Sequence, residues 1–196
     1  MNLPNKLTLS RFVLTVAFLL AIFAHFRFNE TVALFFFCLA GLTDYFDGKI
    51  ARQRGVITNF GILMDPLADK IMTCSAFIAF VGLGYMPAWM VVIVVARELA
   101  ITGLRLLAAS KQVVLAAEGY GKHKTISQII AIIAVLVSVS YEQWGPVGKA
   151  VFGFPLMGRP WVTGFANLAK WVAVGLTFLS GALYLRHNRR IYLDEA

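Results

Sequence analysis

Residues 44–69 read DYFDGKIARQRGVITNFGILMDPLAD, and this stretch decides how the rest of the chain is understood. It carries Asp44, Asp47, Asp65 and Asp69, four of the five aspartates in the protein. Apolar runs of membrane-helix character lie on both sides of it. A carboxylate in or near hydrocarbon costs about 3 kcal/mol on insertion scales, so ionisable groups there mark function by default. Four in one short segment are hard to explain by packing.

The surrounding composition agrees with a bilayer setting. The 196 residues are 59% hydrophobic and 14% charged, with mean hydropathy +0.75. A soluble domain carries roughly 25% charged residues. The net charge of +8 raises nucleic acid as a partner. Against it, the basic residues sit between apolar blocks, with no long basic run or aromatic-interleaved patch. Cys38 and Cys74 lie inside apolar runs and read as small core residues, and the three histidines share no zinc spacing with them.

Apolar stretches of about 20 residues mark spanning helices. They fall at roughly 7–25, 31–53, 60–82, 86–109, 125–143 and 163–185. The first imitates a signal peptide, with Lys6 and Arg11 ahead of an apolar core, but no small-x-small cleavage site follows and five more runs do. The unbroken runs lack the alternation of barrel strands. The expected architecture is an all-α integral membrane protein of six transmembrane helices, a single domain over residues 1–196.

Lys and Arg in the short loops set the orientation. One side holds Lys6, Arg11, Lys49, Arg52, Arg54, Lys111, Lys122, Lys124, Arg186, Arg189 and Arg190; the other holds Arg27, Lys149 and Arg159. Both termini are therefore expected in the cytoplasm, and the Gly- and Pro-rich segment 142–160 becomes an outer loop. Asp44 and Asp47 fall at the cytoplasmic end of the second helix, Asp65 and Asp69 in the cytoplasmic half of the third. Spacings of three and four residues put each pair on one helix face. A short connection makes the helices antiparallel neighbours, so four carboxylates can meet at the inner surface.

Carboxylates this close repel unless protonated or bridged by cations. Oxygen ligands of this kind suit Mg²⁺, Mn²⁺ or Ca²⁺. Between residues 44 and 70 the four aspartates are balanced by Lys49, Arg52, Arg54 and Lys70, so one or two divalent ions leave the site positive and ready for a pyrophosphate. Two metals about 4 Å apart clamp the attacking and leaving oxygens of a displacement at phosphorus. Gly48, Ala51 and Gly61 permit close approach, Arg52 offers a forked donor and Thr58 a hydroxyl. Taken singly, the glycines read as helix-packing residues and Arg52 and Arg54 as interfacial anchors.

A second basic group bears on the acceptor. Arg97 and Arg105 are eight residues apart on the fourth helix, near one face, and Lys122, His123 and Lys124 open the fifth. Together they suit an anionic acceptor such as a phosphorylated polyol. The plainer reading makes Lys122 and Lys124 positive-inside anchors and pairs Arg97 with Glu98. Arg97 sits well inside an apolar helix, however, and needs an internal partner.

The pattern Asp44-x₂-Asp47-Gly48-x₂-Ala51-Arg52-x₈-Gly61-x₃-Asp65-x₃-Asp69 resembles, without departure, the signature of the CDP-alcohol phosphotransferases. These membrane enzymes displace CMP from a CDP-linked donor with an alcohol. The resemblance implies that Asp44, Asp47, Asp65 and Asp69 ligate divalent metal, Mg²⁺ or Mn²⁺ and two ions. It implies that Asp69 is also the base, and that Gly48, Arg52 and Thr58 contact the donor. Asn5-Lys-Leu-Thr8-Leu-Ser-Arg11, Met64-Asp65-Pro-Leu-Ala-Asp69-Lys70, Ala96-Arg97-Glu98 and Gly121-Lys122-His-Lys124-Thr125 are similar to one bacterial branch of that family. Its donor is CDP-diacylglycerol and its acceptor sn-glycerol 3-phosphate, in the inner membrane, with products phosphatidylglycerol phosphate and CMP. Arg97, Arg105, Lys122 and Lys124 would then hold the acceptor phosphate.

Three other readings compete: the same chemistry on inositol phosphate, an intramembrane prenyltransferase, and a divalent cation transporter. The prenyltransferase needs a longer chain and other aspartate spacing. The transporter calls for acidic groups near the midplane. The sequence leaves open whether two copies form a homodimer.

Overall fold

Long apolar runs without water to solvate their backbone close their hydrogen bonds internally, and helices follow. The computed structural model describes residues 3–54, 59–113, 115, 120–156 and 158–193; it does not describe the side chains of residues 3–7, 45–54, 59–63, 65, 66, 120, 122, 190 and 193. Six long helices dominate: α1 (Leu3–Phe23), α2 (Asn29–Arg54), α3 (Asn59–Gly82), α4 (Ala88–Ser110), α5 (Tyr120–Ser140) and α7 (Trp161–His187). Short elements α6 (Gly145–Phe152) and α8 (Arg190–Leu193), with a 3₁₀ turn ahead of α6, complete the helical set among the described residues. Among the described residues the fold is all-α apart from a small hairpin of β1 (Pro155–Leu156) and β2 (Arg159–Pro160), in antiparallel register Pro155 to Pro160.

The distribution of side-chain size is that of a bundle in lipid. Small residues face inward: Ala33, Ala76, Ala131 and Ala173 are fully buried, with Ala134, Ala166 and Ala169 close behind. Small faces let helix backbones approach where no hydrophobic force drives association, and α5 packs closely on α7 through them. Large apolar residues face outward, with Leu20, Leu99 and Leu106 each more than two-thirds exposed. An apolar exterior of this extent is not tolerated in water. On length and composition, His123–Phe152 and Trp161–His187 are each able to cross a membrane, and Thr8–Phe23 is a shorter apolar helix. The ends of α2 and α3 carry the aspartate and Lys/Arg residues described above, which lowers their apolarity where the chemistry is expected.

A buried aromatic set fixes the middle of the bundle. Phe18 of α1 meets Phe37 of α2 at 6.1 Å between ring centres, and Phe77 stands edge-on to Phe80 at 6.4 Å. The expected direct packing of α2 on α3 is not what the described residues show: α1 packs against both and is the element that joins the two aspartate-bearing helices. At the N-terminal end of α2, Glu30 accepts from Gln143 Nε2 at 2.6 Å and from the Tyr85 hydroxyl at 3.2 Å. Thr31 donates to Gln143 Oε1 at 2.9 Å, and Trp144 Nε1 donates to Thr31 at 3.0 Å. These bonds tie α2 to the α3–α4 turn and to the segment after α5. Glu30 and Asp44 are separated along α2 by about 21 Å of helix rise, so this polar clasp and the aspartates occupy opposite ends.

The expected outer loop 142–160 is instead largely structured. A 3₁₀ turn (Tyr141–Trp144) leads into α6, where Pro146 supplies a preset φ in the first turn. Trp144 meets Phe152 edge-on at 5.4 Å and Phe152 stacks on Trp161 at 5.9 Å, and Gly158 turns the hairpin at φ 78°, a conformation side-chain-bearing residues rarely take.

Candidate functional site between α1, α2 and α3

Asp44 lies in the C-terminal half of α2 and Asp69 in the middle of α3, and the fold brings their carboxylates together on one cation. That cation is Arg11 of α1. Its Nη1 donates to Asp44 Oδ1 at 2.6 Å and also to Asp69 Oδ1. The arginine side chain is 3% exposed while the carboxylates are about half exposed, at 49% and 54%. The acids thus face an opening and the guanidinium seals them from behind. One turn deeper, Thr15 donates to the Arg11 carbonyl at 2.8 Å and lies 3.1 Å from Met72 Sδ, which pins this part of α1 against α3.

The other expected ligands are less fully placed. Asp47, Gly48 and Arg52 belong to α2 and Asp65 to α3, with side chains outside the described set, and Thr58 lies outside the described residues. Two aspartates held by a single positive group form a donor set that hard divalent cations accept: carboxylate oxygens, partly open to solvent. A guanidinium nitrogen shared by both carboxylates shows that one positive charge can be held between them.

The basic residues of α4 and α5 form a second cluster. Arg97 and Arg105 both meet α7: the Arg97 stem crosses Gly181, where an added Cβ would stand 2.8 Å from Arg97 Cγ, and Arg105 lies over the Tyr184 ring at 5.7 Å. Arg105 Nε is also 3.4 Å from the Tyr184 hydroxyl. Arg105 borders an open cavity of about 370 Å³ with Ala109, Gln112, Val113 and Leu115, within the size range of small-ligand sites. Lys122 opens α5 with its side chain outside the described set.

Lys124 is buried, and its ammonium pairs with Glu98 of α4; Arg97 Nη1 approaches the same Glu98 oxygen at 3.4 Å. The plainer sequence reading of an Arg97–Glu98 contact is therefore present, but Lys124 is the nearer partner. Arg97 Nε is buried and, among the described residues, meets no acceptor. A line of polar contacts joins this cluster to the aspartates. Lys70, next to Asp69, donates to Thr102 Oγ1 at 2.5 Å, and Thr102 donates to the Glu98 carbonyl at 2.7 Å.

Two residues at the centre of these clusters, Arg11 and Glu98, are absent from the sequence-based site. Arg11 reads in sequence as one more positive-inside residue and as the end of the Asn5–Arg11 stretch; the signal is that it falls within the first expected span, 7–25. Glu98 reads as a partner for its neighbour, although a carboxylate well inside an apolar helix carries the same cost as the aspartates.

Comparison with known proteins adds a separate line of observation. The family described as CDP-alcohol phosphatidyltransferase matches residues 1–179. A Bacillus subtilis protein named CDP-diacylglycerol–glycerol-3-phosphate 3-phosphatidyltransferase is 38% identical over 200 aligned residues, covering 95% of each chain. A Mycobacterium tuberculosis protein named probable phosphatidylglycerophosphate synthase is 37% identical over 192 residues, 96% of this chain and 82% of the relative. A Rickettsia felis protein with the same name as the Bacillus relative is 27% identical over 191 residues, 97% of each chain.

Proposed function

The chain belongs to the CDP-alcohol phosphatidyltransferase family, and from that premise we propose that it transfers the phosphatidyl group of CDP-diacylglycerol to sn-glycerol 3-phosphate, releasing CMP. The relatives carry names for this reaction along nearly the whole chain. The observation that carries the catalytic reading is the meeting of Asp44 and Asp69, from two helices, on one positive group.

The six long helices α1 to α5 and α7 are taken as six spans of one domain over residues 1–196. The Lys/Arg asymmetry supports cytoplasmic termini and a catalytic end at the inner face of the bacterial inner membrane. CDP-diacylglycerol then enters sideways, acyl chains in lipid and headgroup at the aspartates. The outward-facing large apolar residues of the bundle offer a continuous boundary for those chains.

Asp44, Asp47, Asp65 and Asp69 would hold divalent metal, Mg²⁺ or Mn²⁺, and the half-exposed carboxylates of Asp44 and Asp69 fit that role. When bound, the metal supplies neutralisation of the pyrophosphate and of charge building on departing CMP, the kind of electrostatic stabilisation that is usually the largest single contribution to such a reaction. Gly48, Arg52 and Thr58 would contact the CDP part of the donor. Arg97, Arg105, Lys122 and Lys124 make the acceptor side positive. Arg97 Nε, which meets no acceptor among the described residues, is a buried donor of the kind a phosphate oxygen satisfies, and Arg105 stands at the rim of an open cavity. Lys124 serves from behind, holding Glu98 so that Arg97 is fixed over Gly181. Asp69 accepts the proton of the acceptor's terminal hydroxyl, whose oxygen attacks the β-phosphorus as the bond to CMP breaks.

The test is CMP release by the purified protein in micelles containing CDP-diacylglycerol. Turnover is expected with sn-glycerol 3-phosphate and Mg²⁺ or Mn²⁺, and none after EDTA. Faster release with inositol phosphate would reassign the acceptor, and release that persists in EDTA would remove the metal.

A further inference from the structure

We infer that Arg11 is the internal counter-ion of the aspartate site: it holds Asp44 and Asp69 together in the metal-free enzyme and yields its place to the divalent cation. The inference rests on the reading of those aspartates as metal ligands. It starts from a position no spacing rule points to, a buried arginine on a third helix.

A single Arg11 nitrogen, Nη1, serves Oδ1 of both carboxylates. It stands where the two acids converge, which is the position a shared cation would take. The Arg11 side chain is 3% exposed, whereas the acids are open to solvent by about half. Arriving ions therefore approach from the side away from Arg11. Two carboxylates brought together without a cation repel each other, and the arginine removes that repulsion while the site is empty of metal. A guanidinium and a divalent ion on the same two oxygens would in turn be like charges within a few ångström. Occupancy by one thus opposes occupancy by the other, and the position of the Arg11 side chain follows the metal state. The Thr15 bond to the Arg11 carbonyl and the Thr15–Met72 contact hold the backbone of α1 in place, so the exchange is made by the long side chain alone.

A purely structural staple makes the opposite prediction. If Arg11 only pulled α1, α2 and α3 together, its loss would loosen the ligands and weaken metal binding. A counter-ion that competes with metal strengthens binding when removed, because the metal no longer displaces it.

The experiment is Mn²⁺ titration followed by electron paramagnetic resonance, on the purified full-length protein in detergent, for wild type, Arg11→Met, Arg11→Lys and Asp44→Asn. Arg11→Met is expected to bind Mn²⁺ about tenfold tighter than wild type or more, the effect of deleting one opposing charge at close range. Its metal-free melting temperature should fall, and saturating Mg²⁺ should raise that temperature by more than in wild type. Arg11→Lys keeps the charge on a shorter stem that stands further from the two acids, so its affinity should lie between the two. Should Arg11→Met fail to fold, the lysine variant decides alone. Binding equal to or weaker than wild type in either folded variant overturns the inference and leaves the metal reading intact. No Mn²⁺ binding in wild type, or binding unaffected by Asp44→Asn, overturns the metal reading and this inference with it.

Discussion

The buried charge cluster on α4 and α5 yields a double-variant test. Glu98 is 9% exposed and Lys124 7% at the side chain; the carboxylate takes the Lys124 ammonium and approaches Arg97 Nη1 at 3.4 Å. Glu98→Gln keeps the shape and removes the charge, leaving two cations in a space that excludes water. Breaking one partner of a buried pair costs about 3–5 kcal/mol, and the remaining amide oxygen still accepts one bond, so a loss of about 3 kcal/mol is expected. Lys124→Met leaves the carboxylate with Arg97 at the outer limit of hydrogen bonding, again about 3 kcal/mol. The double variant removes both charges and should cost only about 2 kcal/mol, since apolar or neutral replacement of a whole buried pair is far milder than halving it. The coupling is then about 4 kcal/mol. Reversible unfolding by sodium dodecyl sulfate in mixed micelles, followed by circular dichroism, measures each corner of the cycle. Losses that add to within about 0.5 kcal/mol would show that Glu98 and Lys124 do not depend on each other, and the cluster would lose its organising pair.

Arg105→Ala should raise the apparent KM for sn-glycerol 3-phosphate about tenfold or more, the worth of one charge-assisted bond, with the KM for CDP-diacylglycerol unchanged; the reverse pattern contradicts the acceptor assignment. Gly181→Ala puts a methyl group 2.8 Å from Arg97 Cγ, so the arginine stem must move. A rise of about threefold or more in the acceptor KM is expected from that small displacement, and an unchanged value would take Arg97 out of the acceptor grip. Asp69→Asn should lower turnover by about a thousandfold or more through loss of base and ligand together, and near-normal rates would refute both roles. At the far end of the bundle, burial and then the Glu30 carboxylate push the Tyr85 phenol up from its usual 10 to about 12. The folded state holds that proton more tightly, so the stabilisation is full below pH 10 and is lost as pH rises from 10 to 12. Tyr85→Phe should flatten the decline of melting temperature across that window; an unaltered slope would show that another group governs it.

Helix positions were legible because hydrocarbon demands long apolar runs: 163–185 was expected where Trp161–His187 is found, and 60–82 where α3 runs Asn59–Gly82. The segment after Ser140 was not, since its order comes from the ring contacts of Phe152 with Trp144 and Trp161, which no periodicity encodes. In the site, the spacing of the four aspartates announced itself, as carboxylates in apolar sequence must. Arg11 did not, because its partners lie 33 and 58 residues away and only the packing of α1 against both α2 and α3 brings them together. Lys124 and Glu98, 26 residues apart, were hidden for the same reason. Sequence shows which charges are costly; tertiary contact decides which of them share a partner.

The central claim is that acids from α2 and α3, two helices joined through α1 rather than packed on each other among the described residues, share a divalent ion. It is tested most directly by the anomalous scattering of Mn²⁺ in crystals of the full-length protein. A peak is expected within about 2.0–2.5 Å of carboxylate oxygens from both α2 and α3, Asp44 and Asp69 among them. A peak held by one helix only, or Asp44 and Asp69 too far apart to touch the same ion, would contradict it.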